Sequence, residues 1–170
     1  MIARLAAVGG RCHRSFVGLV VMFRAYKFVL KPTVAQSRRL EALLAAQCEL
    51  YNAALEERRG AWRWERRRVT RFEQFGQLAG LREVRPEVMA FGVCVARGTL
   101  IRLDLAFAAF FRRHKAGQKP GYPRFRSRSR FDSVSWPDRD GWALDAEQHR
   151  FYVQGVGHIK VRLHRKRPRG

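Results

Sequence analysis

Hydrophobic positions change their spacing along this chain, and each change predicts a different element. Residues 23 to 31, Phe-Arg-Ala-Tyr-Lys-Phe-Val-Leu-Lys, interleave aromatic and β-branched residues with charges, a composition that predicts a strand with one wet face or edge. Pro32 ends it. Thr33-Val34-Ala35-Gln36 then matches a capping box. Leu40, Leu43, Leu44, Gln47, Tyr51, Ala54 and Leu55 follow at three-and-four spacing, which predicts an amphipathic helix to about Arg59, with Gly60 as its stop or break. A second capping box, Thr70 to Glu73, opens a shorter helix through Phe72, Phe75, Leu78 and Ala79, and Gly80 lies near its end. Pro86 suits the first turn of a third helix. Its stripe runs unbroken through Val88, Phe91, Val95, Thr99, Leu103, Phe107 and Phe110 to the cluster Arg112-Arg113-His114-Lys115. Three such helices predict a small bundle.

From Ala116 the pattern changes. Gly117, Lys119-Pro120-Gly121-Tyr122-Pro123 and Arg124-Phe125-Arg126-Ser127-Arg128-Ser129-Arg130 forbid a regular helix. Beyond them Phe131 to Trp136, Trp142 to Leu144, Phe151 to Val153 and His158 to His164 read as short strands, with Gly155-Val156-Gly157 as a turn. In the last strand alternation points Ile159, Val161 and Leu163 inward and Lys160, Arg162 and His164 outward. Strand, helices and strands in that order predict an α+β fold in which a helical segment interrupts one β-domain.

Composition narrows the partner. Lys and Arg number 35 against 14 acidic residues, a formal charge of +21. Such an excess repels itself in a compact domain unless a polyanion neutralises it, and nucleic acid is the default polyanion. An anionic membrane is the competitor, but no stretch has the apolar length of a spanning helix and the cations are not gathered on one amphipathic helix. The preference for Arg over Lys suits bidentate phosphate contacts and stacking on bases, although GC-rich codon usage would produce it too. With 46% hydrophobic and 12% aromatic residues the chain has enough apolar surface to fold.

Cys12, Cys48 and Cys94 are odd in number and widely spaced, so neither a disulfide framework nor a zinc site is expected, and a reducing compartment such as the cytoplasm fits best. Cys48 and Cys94 fall in helical apolar patterns as small core residues. Residues 1 to 21 carry Arg4, Arg11 and Arg14 and no acid, but their order is wrong for a secretory leader, and Met22 is read as the true start. A disordered basic arm is the alternative.

The stretch from Arg112 to Arg130 contains no acid, while its cations alternate with Tyr122 and Phe125. This pattern suits a groove that follows a phosphate backbone while rings stack on exposed bases; a solvated loop is the plainer reading. The Phe107-Phe110-Phe111 group resembles a stacking platform, but its helical spacing assigns it to the core. Asp132, Asp138, Asp140, Asp145 and Glu147 flank turn residues among strong bases and are read as turn formers or ion-pair partners rather than as a metal site. His13, His114, His149, His158 and His164 have no ligand spacing, and no phosphate-binding or nucleophile-elbow motif occurs. No cofactor and no catalytic centre are expected.

Several strings are familiar together. Tyr26-Lys27-Phe28-Val29-Leu30-Lys31-Pro32-Thr33 with Gln36, Tyr51-Asn52-Ala53-Ala54-Leu55-Glu56, Leu103 to Phe111 running into Lys119-Pro120-Gly121-Tyr122-Pro123-Arg124-Phe125, and Gly157-His158-Ile159-Lys160-Val161 resemble the N-terminal half of the TnpB family. These are OrfB-type proteins of insertion sequences, related to the type V CRISPR nucleases. The resemblance covers roughly residues 22 to 168. It implies a small oligonucleotide-binding β-barrel, the wedge domain, with first strand 22–32 and remaining strands 132–168. It also implies an inserted helical recognition domain at 33–115 and a basic loop at 116–131. It further implies binding of a guide RNA derived from the transposon end and of double-stranded target DNA, with sequence read by guide pairing. The candidate contacts are Arg24, Tyr26, Lys27, Lys31, Arg112, Arg113, Lys115, Lys119, Tyr122, Arg124, Arg126, Arg128, Arg130, Lys160 and Arg162.

Family members continue into a RuvC-type nuclease domain whose separated acids bind the catalytic metals. The present sequence stops at Arg165-Lys166-Arg167-Pro168-Arg169-Gly170, where that domain would begin. The expectation is therefore a binder that does not cleave, with a separately encoded RuvC-type half as a further partner. The rival expectations are a stand-alone basic RNA-binding protein of ribosomal type, a helix-turn-helix DNA regulator, and a decayed fragment.

Overall fold

The computed structural model describes the backbone of residues 4–7 and 26–163 and the side chains of residues 27–163. The elements are β1 (Arg4–Ala7), β2 (Tyr26–Lys31), α1 (Val34–Glu65), α2 (Arg71–Val84), α3 (Pro86–Met89), α4 (Val93–Lys115), a 3-10 turn (Arg128–Arg130), β3 (Trp142–Asp145), β4 (Arg150–Val153) and β5 (Gly157–Arg162). The fold is α+β. Four strands pair antiparallel in the order β2-β5-β4-β3, and the short β1 lies outside β2.

The expected barrel is absent. β1 and β3 are the two ends of the sheet and do not pair, so it stays open. The apolar face that a barrel would turn upon itself is covered by helices instead. Phe28, Leu30, Phe151, Val153, Ile159 and Val161 share one hydrophobic core with Leu43, Tyr51, Leu55, Val95, Leu100 and Leu103. Burying both sets against each other removes the drive for closure.

Both capping boxes form as read. Thr33 Oγ1 accepts from Gln36 N–H at 3.3 Å while the Gln36 side chain accepts from Thr33 N–H at 3.0 Å. The same Gln36 donates Nε2 to the His158 carbonyl at 2.7 Å, which ties the start of α1 to β5. Thr70 and Glu73 repeat the arrangement at α2.

α1 does not stop at Gly60. A glycine inside a helix costs only about 1 kcal/mol, and buried Arg58 and Ala61 hold the turns on either side of it. The helix ends where Arg66 turns left-handed at φ 53° and its N–H bonds the Ala61 carbonyl. The third helix, expected to be continuous, is two. Gly92, at φ 94°, breaks the stripe between α3 and α4, and a side chain there would collide with that of Gln154.

Residues 131–136 form no strand. Buried Phe131 packs beside Tyr51, and half-buried Val134 and Trp136 lie on the same core. The segment is a strap along α4. Arg102 Nη1 donates to the Ser133 carbonyl at 2.6 Å, and the Cys94 thiol approaches the Asp138 carbonyl at 3.7 Å. Between them, Gly98 lets the Ser135 carbonyl press onto the helix where a Cβ would overlap it. Apolar alternation marked this segment as extended, and its partner turned out to be a helix face.

Candidate nucleic-acid interface

The outer face of the sheet follows from strand alternation. Lys27, Val29 and Lys31 of β2 are exposed between buried Phe28 and Leu30, and His158, Lys160 and Arg162 of β5 are exposed around buried Ile159 and Val161. Register then decides what meets what. Lys31 lies opposite Lys160, Lys160 opposite Arg150, and Arg150 opposite Asp145. Like charges placed directly across strands destabilise a sheet, so three cations in one transverse row make a positive strip that repels itself. Asp145 is a weak counterweight, because its Oδ1 already accepts the backbone N–H groups of Glu147 at 3.0 Å and Gln148 at 2.9 Å. Beside the row, the rings of Tyr152 and His158 lie 5.1 Å apart.

The second basic surface is the loop after α4. Arg112, Arg113 and Lys115 are exposed on the last turn of that helix, where cations also complement the helix dipole. Tyr122 packs edge-on against Phe107 and Phe110, with centroids 5.4 and 5.3 Å away, and burial pushes its phenol pKa up. The Phe107-Phe110-Phe111 group is thus divided. Phe107 lies against the core under the Arg58 guanidinium, whereas Phe111 is 48% exposed and does not belong to it. Arg59 lies 5.0 Å from the Phe125 ring centroid.

Asn52 fixes the middle of the loop. Its Nδ2 donates to the Arg126 carbonyl and its Oδ1 accepts from Arg126 N–H, both at 2.9 Å, the pairing that a neighbouring strand would offer. The Cys48 thiol adds a contact of 3.3 Å to the same carbonyl. Two net hydrogen bonds at about 1 kcal/mol each hold this segment to α1. Asn52→Ala is expected to speed exchange of the Arg126 amide by about tenfold or more, as read by hydrogen exchange, with little change in global stability.

Arg128 pairs with Glu49 at 2.6 Å, while Lys119, Arg124, Arg126 and Arg130 are exposed. Lys27, Lys31, Lys160 and Arg162 thus gather on the sheet, and the residues from Arg112 to Arg130 gather at the end of α4 and along the middle of α1. Sixteen residues of α1 separate the Gln36 tie from the Asn52 clamp, roughly 24 Å at helical rise. Arg24 lies outside the described residues, and Tyr26 is seen as backbone paired with Ala7.

Sequence reading missed Arg150, Asn52 and Arg102. Continuing the alternation of Phe151 and Val153 back by one residue would have put Arg150 outward. Asn52 carries no such signal, since its partner is backbone 74 residues away. Arg102 holds the strap while its guanidinium lies 5.1 Å from the Phe131 ring centroid, and burial, then nearby Arg126, pulls its pKa down.

Other chemistry finds little footing. Burial pushes the Cys48 and Cys94 thiols up, away from the thiolate that nucleophilic attack needs. Both are core residues as expected. Among the described residues no three His, Cys, Asp or Glu side chains converge as a metal site. No described helix is long and apolar enough to cross a membrane.

No protein-family model matches the chain. Over 111 residues, 63% of the chain, it is 32% identical to a Streptomyces pristinaespiralis protein provisionally named an RNA-guided DNA endonuclease. The matched stretch is 26% of that protein, so the chain spans about a quarter of this relative's length.

Proposed function

We propose that this chain is the nucleic-acid-holding portion of a TnpB-like, transposon-associated system, binding a guide RNA from the transposon end and target DNA without cleaving either. The observation that carries the reading is the transverse row Lys31, Lys160 and Arg150, which a neutral ligand would leave unneutralised. The basic loop from Arg112 to Arg130 supplies the second contact. The likeness to a protein named for RNA-guided DNA cleavage supports nucleic acid over other polyanions.

Cleavage is assigned elsewhere, to a RuvC-type half acting in trans or to a longer protein. Among the described residues several acids are taken up by ion pairs: Glu49 pairs with Arg85 and Arg128, Glu65 and Glu73 with Arg67, and Asp104 with Arg58 and Arg71. Metal-assisted hydrolysis needs carboxylates brought together, and these are spread among arginines.

The test is purification of the full chain with its bound nucleic acid, followed by titration across salt. If six to ten cations meet phosphates, affinity falls on the order of a thousandfold between about 50 and 200 mM salt. Preference for transposon-end RNA over unrelated RNA of equal length supports the guide assignment. Equal affinity for both sinks it, and co-sedimentation with ribosomes would replace it by a structural RNA-binding role.

A further inference from the structure

The far end of α1 carries a cluster that neither basic surface includes. Between residues 58 and 71 the chain has seven arginines and one acid, Glu65. Arg58 is buried in ion pairing with Asp104, Arg59 lies over Phe125 of the loop and Arg67 is held by Glu65 and Glu73, which leaves exposed Arg63, Arg66 and Arg68 as the cluster's cations. Among them stand Trp62 at 54% and Trp64 at 77% exposure, unusual for the largest apolar side chain unless a partner covers it.

Each indole has an arginine over it. The Arg63 guanidinium lies 4.9 Å from the Trp64 ring centroid and that of Arg66 lies 5.8 Å from Trp62. Arg66 reaches this place from a left-handed backbone, φ 53°, at a helix end where glycine is the usual residue. A third ring, Phe72 on the first turn of α2, is 68% exposed under Arg71 at 4.8 Å. A cation on one face of a ring leaves the other face for stacking.

We infer that this α1–α2 tip is a site for unpaired bases of single-stranded nucleic acid, with Trp62 and Trp64 as stacking platforms and the surrounding arginines on the phosphates. The inference rests on the reading of the chain as a nucleic-acid binder and adds which form of nucleic acid this end takes. A membrane surface would want the rings backed by apolar neighbours. Here the neighbours are arginines, and a charged strand with flat bases satisfies both components.

The experiment compares the full chain's affinity for an oligothymidylate with that for an abasic strand of the same phosphate count, alongside a blunt duplex. For the natural sequence the strand with bases is expected to bind about tenfold or more tighter than the abasic one. Trp62→Ala with Trp64→Ala should bring that ratio close to one and leave duplex affinity unchanged, whereas Trp62→Phe with Trp64→Phe should keep most of it. An unchanged ratio in the alanine protein, or no ratio in the natural one, overturns the site. Failure to bind any nucleic acid would overturn the proposed function as well, which the duplex arm reveals.

Discussion

Replacing Lys31, Arg150 and Lys160 together by glutamine is expected to weaken nucleic-acid binding roughly a hundredfold near physiological salt. Three lost phosphate contacts should also flatten the slope of log affinity against log salt by about three. The free protein should become slightly more stable, because two like-charged cross-strand pairs disappear and only the Arg150–Asp145 pairing is lost. At a few tenths of a kcal/mol per pair the net gain is about 0.3 kcal/mol, or about 1 °C in the midpoint. Binding loss coupled to a stability gain distinguishes a ligand site from a structural charge network, which would lose both together. Unchanged affinity would remove the sheet face from the interface.

Gly98→Ala should be the most damaging glycine-to-alanine change among the described residues. The new Cβ would overlap the Ser135 carbonyl oxygen and lie 3.0 Å from its carbon and its Oγ, so backbone rather than a flexible side chain must yield. Overpacking of this kind costs about 3 kcal/mol, which for a chain of this length lowers the midpoint by roughly 6–12 °C. The strap should lift first. Denaturant unfolding measures the cost, and proteolysis within residues 131–141 reports the detachment. A loss under about 1 kcal/mol would mean that the strap does not lie on α4 as described.

Local signals were the legible ones. Thr33 with Gln36 and Thr70 with Glu73 announce helix starts because the cap's chemistry is complete within four residues. Alternation in β5 told inside from outside for the same reason. Non-local pairings were not legible. Nothing in the apolar stripe from Val88 to Phe110 shows that Gly92 breaks it at positive φ, nor that the side chain of Gln154, from the turn after β4, fills the space a Cβ would need there. Likewise, Phe131 to Trp136 alternates as a strand would, and only the fold reveals a helix beneath it. The candidate site was half visible: the loop cations stand next to one another in sequence, whereas the Lys31–Lys160–Arg150 row exists only through register. The resemblance suggested a barrel, whereas the apolar face of the open sheet is buried against helices.

With the sheet tied to its first turn, the loop clamped at its midpoint and the tryptophans at its far end, α1 sets the spacing of the three candidate surfaces. On the proposed reading, a strand that engages both the sheet and the loop has to span that spacing. The 24 Å from tie to clamp corresponds to roughly seven nucleotide steps at 3.4 Å each. Shorter strands can occupy one station at a time, and only longer ones gain the multiplied affinity of engaging two.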